Sequence, residues 1–165
     1  MAELYLSQGH PERARAIYAH LATDPTNVRA RERLAEIDRQ SSGGTDFKAL
    51  LQKIVESVDG ALACSLMGFD GIAVEHVEAA PGAVDLQTML IEYSSIVKQI
   101  RAAARSLAAG ETSEVSIRTE KVTAVARLLT DSYFAVVALS PEGNVGKARY
   151  ALRVGAAEMV RALAT

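Results

Sequence analysis

Apolar and polar positions follow two different periods along this chain, and the switches between them set the order of elements. Ala61-Leu62-Ala63-Cys64-Ser65-Leu66-Met67 is almost continuously apolar, as expected for a strand covered on both faces. Ile72 to Val77 returns with polar residues interspersed, as a strand does near a sheet edge. Gly68-Phe69-Asp70-Gly71 between them reads as a hairpin turn, because Asp tolerates positive φ and Gly favours it. Thr112 to Arg118 alternates cleanly, with Val115 and Ile117 on one face; Lys121 to Leu129 follows, and Tyr133 to Leu139 is a second doubly buried strand. Helical spacing governs the rest. Phe47, Leu50, Leu51, Ile54, Val55 and Val58 follow Asp46 as N-cap. The longest helix is capped by Asp85 and runs through Leu86, Met89, Leu90, Tyr93, Val97, Ile100, Ala104 and Leu107 to Ala109, with Gly110 as its stop. A last helix spans about Lys147 to Leu163.

Helix, two strands, long helix, three strands, helix predicts an α/β (α+β) unit: one five-stranded antiparallel sheet with flanking helices. Thr112 to Arg118 is expected at an edge, because its outward face is half charged. On the long helix Ile91 and Ile96 lie off the main stripe, while Ser94, Ser95, Ala102 and Ala103 are small. Two readings fit: a second contact face for the same helix of a partner subunit, or a wide buried stripe within a monomer.

Residues 1–40 form a different compositional block, rich in Ala, Arg, Glu and Leu. Leu4-Tyr5, Gly9, Ala14, Tyr18, Leu21 and Asp24-Pro25 resemble a tetratricopeptide repeat, with Gly9 turning the chain and Pro25 stopping the second helix. The first helix is cut short at Met1, Pro25 comes one position early, and a third helix covers roughly 27–39. A single repeat cannot bury its own apolar face, so this short all-α segment is the remnant of an array, a cap or a docking arm. The polar, glycine-paired stretch 41–45 is expected as a linker, which makes 46–165 the second domain.

Composition narrows the function classes. The 165 residues are 49% hydrophobic and 23% charged, which is globular rather than disordered. A net charge of -2 offers no general electrostatic case for nucleic acid or an anionic membrane. The one cysteine, Cys64, excludes an internal disulfide and fits a reducing compartment. With no apolar run of spanning length and a charged helical pattern at the amino terminus, a soluble, cytoplasmic protein without membrane insertion is expected.

Catalytic chemistry finds little support. Gly143-Asn144-Val145-Gly146-Lys147 is too short for a phosphate-binding P-loop and is followed by Ala148, not a hydroxyl. His10, His20 and His76 have no metal-ligand spacing, so neither metal nor cofactor is expected. A Cys64–His76 dyad across the hairpin is conceivable, but a thiol in an apolar strand is usually inert. Ser65 is the one polar group placed to serve a small-ligand-sensing pocket. Phe69 sets a large ring at a hairpin tip, either exposed as an interface anchor or folded back on the first or last helix of its domain.

From about Phe47 to Leu163 the chain resembles a roadblock/dynein-light-chain domain. The resemblance rests on Val58-Asp59-Gly60, the Gly68-Phe69-Asp70-Gly71 turn, the long central helix, and the closing strand, Pro141-Glu142-Gly143-Asn144 loop and helix. Ala63 to Ile72 and Asn144-Val145-Gly146-Lys147-Ala148-Arg149-Tyr150 place it near the bacterial Mgl-type regulators of gliding motility and cell polarity. That implies a non-enzymatic homodimer whose central helix and edge strand meet their symmetry mates. It implies work on a Ras-like small GTPase, directly (as an activating partner) or through another roadblock protein. Phe69, Asp70 and Ile72 are then the expected partner contacts, with Tyr93, Val97, Arg101, Val115 and Ile117 at the dimer interface.

Overall fold

The computed structural model describes residues 2–8, 10–40, 46–80, 82 and 84–164, the side chains of 39 and 40 excepted. Gly9, the linker at 41–45 and Pro81, where the sequence places a turn, a boundary and a loop, lie outside the described residues. Three helices come first: α1 (Ala2–Ser7), α2 (Pro11–Leu21) and α3 (Val28–Gln40). They are followed by α4 (Phe47–Ser57), β1 (Ala61–Gly68), β2 (Ala73–Glu78), α5 (Leu86–Ser106), β3 (Glu114–Arg118), β4 (Thr123–Leu128), β5 (Tyr133–Leu139) and α6 (Val145–Leu163).

The strands form one five-stranded antiparallel sheet in the order β2-β1-β5-β4-β3. The two doubly apolar strands, β1 and β5, pair at its centre, with Cys64 opposite Val137 and Leu66 opposite Ala135. Strand alternation then sorts the side chains into two layers. Cys64, Leu66, Val137 and Leu139 pack with Leu51, Ile54 and Val55 of α4 and with Ala148, Leu152 and Met159 of α6. Met67, Phe134, Val136, Ala124 and Ala126 face the other way, onto Leu90 and Val97 of α5. Each fully buried Val, Leu, Ile, Phe or Met among them contributes roughly 1.5–3 kcal/mol. As expected from its charged face, β3 lies at an edge; the opposite edge strand is β2.

Local signals hold the helices in place. Asp46 accepts from the Ala49 N–H at 3.2 Å and Asp85 from the Thr88 N–H at 3.0 Å, each satisfying a free first-turn donor. Helix α5 ends at Ser106, short of the expected Ala109, and its left-handed residue is Ala108 at φ 56. Ala108 N–H reaches Arg105 O at 3.1 Å and Ala109 N–H reaches Ala104 O at 2.8 Å, the paired bonds of a Schellman stop. Strands β3 and β4 are shorter than the apolar runs that suggest them, and α6 begins at Val145 with Asn144 as N-cap.

Two of the stretches that carry the family resemblance meet in space. Gly60 O accepts from Ser140 N–H at 2.8 Å, and Asp59 O accepts from Asn144 N–H at 2.9 Å. Gly60 has φ +78, and a Cβ there would lie 2.6 Å from Gly143 Cα. Glycine is required at this crossing for both its conformation and its size.

The N-terminal helices close on a small core of their own, Ala2, Ala14, Tyr18, Ala30 and Ile37. Glu3 ties it together: it accepts from Tyr18 Oη at 2.5 Å and from Arg33 at 3.0 and 2.8 Å. Helix α2 lies beside β2. The block thus packs against the chain's own hairpin.

Candidate functional site

The hairpin turn is enclosed from three directions. Gly68 N–H donates to Ile72 O at 2.9 Å, Gly71 N–H to Gly68 O at 3.0 Å, and Asp70 Oδ1 accepts from Ile72 N–H at 3.2 Å. Phe69 N–H donates to Ser132 O at 3.1 Å, tying the tip to the β4–β5 turn. The Phe69 ring is 7% exposed, not an open anchor, and belongs to the cluster beneath α5. It packs on neither the first nor the last helix of its unit. Its ring stacks on Phe134, and Arg101 of α5 covers it with its guanidinium 4.0 Å from the centroid. Ile72 is half-buried and Asp70 remains at the surface.

Asp70 is engaged by the N-terminal block. Its Oδ2 accepts from Arg13 Nη1 at 2.8 Å and from Tyr5 Oη at 3.2 Å. Arg13 Nε also donates to Tyr133 Oη at 2.9 Å, and that hydroxyl donates to Glu12. Burial works to deprotonate Arg13, but Tyr133 and Asp70 outweigh it and hold its pKa above the ordinary value. Burial, then the bond to Glu12, raises the Tyr133 pKa. No local pattern pairs Tyr5, Glu12 or Arg13 with this site, because their partners lie 65, 121 and 57 residues away respectively.

The five residues expected at the dimer interface are placed on two elements, with different outcomes. Val97 is fully buried and faces its own sheet, so it has no surface to offer. Arg101 is half-buried, holding Phe69 and donating to Asp131 O at 2.8 Å. Tyr93 is half-buried against the α5 layer, as is Val115 of β3, and Ile117 is also half-buried. The apolar surface of α5 and its C-cap is instead Ile96 (43% exposed), Ile100 (39%) and, at the cap, Leu107 (79%), with Ile91 (40%) further round the helix. Ile96, Ile100, Ala103 and Leu107 fall at i, i+4, i+7 and i+11, one stripe of a helix surface. Ser94 and Arg101 mark the flank of α5 turned to the hairpin, by contact with Gly71 and Phe69, and the stripe lies on the other flank.

The hairpin also holds a polar chain that no sequence motif announces. Ser65 and His76 are cross-strand partners, the Ser65 hydroxyl is hydrogen-bonded to His76 Nδ1, and His76 Nε2 lies 2.9 Å from Glu78 Oε1. These are the residue types of a nucleophile relay, but Ser65 is 1% exposed and its hydroxyl is already partnered. The group satisfies a buried hydroxyl and leaves no free polar atom at Ser65 for a ligand. Cys64 faces the opposite layer, beside Val77, so a Cys64–His76 dyad is ruled out by strand alternation. Burial pushes its thiol up to about 12. At the head of α6, Asn144 Oδ1 takes the Lys147 N–H at 3.0 Å, and Lys147 Nζ lies 3.3 Å from Asp59. That loop is a capped helix start. Among the described residues no cluster of three or more His, Cys, Asp or Glu side chains is placed to hold a metal ion, and no helix is long and apolar enough to cross a membrane.

A single antiparallel sheet with one long helix on one face and a helix pair on the other defines the roadblock/LC7 class of domain, and solved structures agree. The Roadblock/LC7 domain from Streptomyces avermitilis superimposes with a TM-score of 0.64 at 16% identity, over 73% of this chain and 100% of that one. The gliding protein MglB from Thermus thermophilus gives 0.62 at 18% identity, over 70% and 87%. MglC from Myxococcus xanthus is 45% identical over 68% of this chain and 95% of that chain, with a TM-score of 0.51. The chain belongs to the roadblock/LC7 family, in its MglC-like branch. No family model and no curated protein sequence matches it.

Proposed function

We propose that this chain is a dimeric, non-catalytic interaction module of a bacterial polarity or gliding-motility system, working in the cytoplasm on a Ras-like small GTPase or on another roadblock protein bound to one. The observation that carries the reading is the pairing of an apolar stripe, Ile96, Ile100 and Leu107, with an unpaired sheet edge at β3. Helix α2 lies along the other edge strand, β2, so β3 is the edge left for a symmetry mate. A two-fold axis beside it brings two α5 stripes together and joins two sheets, which relieves both an exposed apolar surface and an open ladder. Tyr93, Val115 and Ile117, half-buried on the same layer, border that contact in this reading.

Such a module acts on a switch protein by binding one nucleotide state more tightly than the other. The MglC likeness supports the assignment to motility or polarity, and the closed Ser65–His76–Glu78 chain is consistent with a role that needs no nucleophile. Asp70 and Ile72 are the partner contacts this reading retains.

Light scattering of the wild type and Ile96→Glu tests the dimer. The wild type is expected at twice the monomer mass and the variant at the monomer mass, with unchanged circular dichroism. A wild type that stays monomeric at tens of micromolar, about the concentration at which weak dimers assemble, sinks the reading. Capture of a Ras-like GTPase loaded in turn with GDP and a GTP analogue tests the partner, and equal retention of both forms excludes state-selective binding.

A further inference from the structure

Arg13 reaches from the first turn of α2 into the mouth of the hairpin and meets a different acceptor on each edge. Nε donates to Tyr133 Oη at 2.9 Å, Nη1 to Asp70 Oδ2 at 2.8 Å and Nη2 to Ser132 O at 3.2 Å. Its guanidinium carbon lies over two rings, 4.7 Å from the centroid of Tyr133 and 5.4 Å from that of Tyr5. A planar fork serves three acceptors and two rings together, which an ammonium cannot do. A Cβ on Gly68 would lie 2.4 Å from Asp70 Oδ1 and 2.8 Å from Arg13 Nη2, so a side chain there would push both ends of the ion pair aside.

The three acceptors belong to the α/β unit and are also tied to it by bonds of its own. Asp70 is oriented by its own turn through Ile72 N–H, at 3.2 Å. Ser132 and Tyr133 are held by the β4–β5 turn, where Thr130 Oγ1 accepts both their N–H groups, at 3.2 and 3.1 Å. The joint between block and unit is polar. The apolar cluster of the block, Ala2, Ala14, Tyr18, Ala30 and Ile37, shares no member with the clusters of the sheet. Among the described residues, the polar contacts that cross the joint are those of Arg13, the Tyr5–Asp70 and Tyr133–Glu12 hydrogen bonds, and an Arg15–Glu75 ion pair at 3.6 Å. Arg15 is shared with Asp38 at 2.6 Å inside the block. Opening such a joint breaks these polar contacts and uncovers the Tyr133 ring, while the two apolar clusters stay separate.

We propose that the hairpin tip is an arginine-recognition surface which the N-terminal block occupies in cis, so that the block competes with any partner helix presenting an arginine there. The clamp rests on its own geometry; only the kind of partner it competes with rests on the function proposed above. Asp70 becomes available to that partner when the block leaves.

Hydrogen–deuterium exchange on the full-length wild type, Arg13→Ala and Arg13→Lys tests the clamp. Arg13→Ala is expected to raise exchange of α2 and of residues 68–72 by about tenfold or more, the effect of losing hydrogen bonds to a charged group, while the amides of β1 and β5 stay protected. Arg13→Lys, with charge but no fork, is expected to fall between. Unchanged exchange in Arg13→Ala overturns the clamp, and deprotection of the whole sheet overturns it by making Arg13 a core folding residue. A labelled synthetic peptide of residues 10–24 then probes the socket by fluorescence anisotropy. It is expected to bind full-length Arg13→Ala about tenfold or more tighter than wild type, and its own Arg13→Ala version is expected to bind neither. Equal binding of the two peptides, or none by the intact one, overturns arginine recognition. Oligomeric state is read separately, so failure of the proposed dimer leaves these outcomes standing.

Discussion

Phe69 and Phe134 lie with ring centroids 5.1 Å apart and planes tilted by 35°, and Arg101 closes the outer face of Phe69. The tip of the β1–β2 hairpin is therefore part of the α5 layer of the core. Truncating Phe69 to Ala is expected to lower stability by about 3–5 kcal/mol, and Phe69→Leu by less. Urea unfolding followed by circular dichroism measures both. An interface anchor with no core role would change stability by only about 0.5 kcal/mol, and that result would return the ring to the surface.

Ala108 holds a left-handed conformation, φ 56, at the stop of α5. A Cβ in that region costs roughly 1–2 kcal/mol, a penalty glycine escapes. Ala108→Gly is expected to stabilise the protein by about 1 kcal/mol, less what the unfolded chain gains in freedom. A lowered unfolding midpoint would show that another feature ends the helix.

The Cys64 thiol is expected to react with a thiol reagent only on unfolding, since it is fully buried and raised from 9.0 to about 12. Because the folded pKa is the higher one, the protonated thiol's contribution to stability is complete below pH 9.0 and is lost as pH rises toward about 12. Comparing wild type with Cys64→Ala across that window isolates the effect. Rapid labelling of the native protein would contradict the burial.

Glu3 responds in the opposite direction. Its bond to Arg33, then that to Tyr18, lowers its carboxyl from 4.5 to about 2. With the folded pKa depressed, the stabilisation it gives α1 is complete above pH 4.5 and declines as pH falls toward about 2. The protection of the α1 amides relative to their intrinsic exchange rate is expected to fall as pH drops over that range in the wild type and to be flat in Glu3→Gln. Parallel profiles would remove Glu3 from the account of how the block holds together.

Much of the fold was legible because its causes are local. Continuous apolar runs marked β1 and β5 as central, since a strand covered on both faces has no polar side to display. Asp46 and Asp85 announced two helix starts through bonds to N–H groups three residues on. The charged outer face of Thr112 to Arg118 put β3 at an edge. The end of α5 was less legible: Gly110, itself at φ 91, was a plausible stop, yet Ala108 takes the cap geometry.

The surfaces divide along the same line. A helical period gives the direction of an apolar stripe and not its width, so it set Ile96 off the stripe that holds Val97 but not how far each is covered; with the sheet in place one is 43% exposed and the other fully buried. Phe69 went inward because Phe134 and Arg101 converge on it from β5 and α5, and Asp70 was engaged because α2 folds back beside β2. The sequence alone determined what each stretch becomes, through periodicity, caps and turn residues acting over a few positions. Tertiary structure alone decided which groups meet across dozens of residues. Such contacts depend on how the layers stack, and their energies leave no mark on the local pattern.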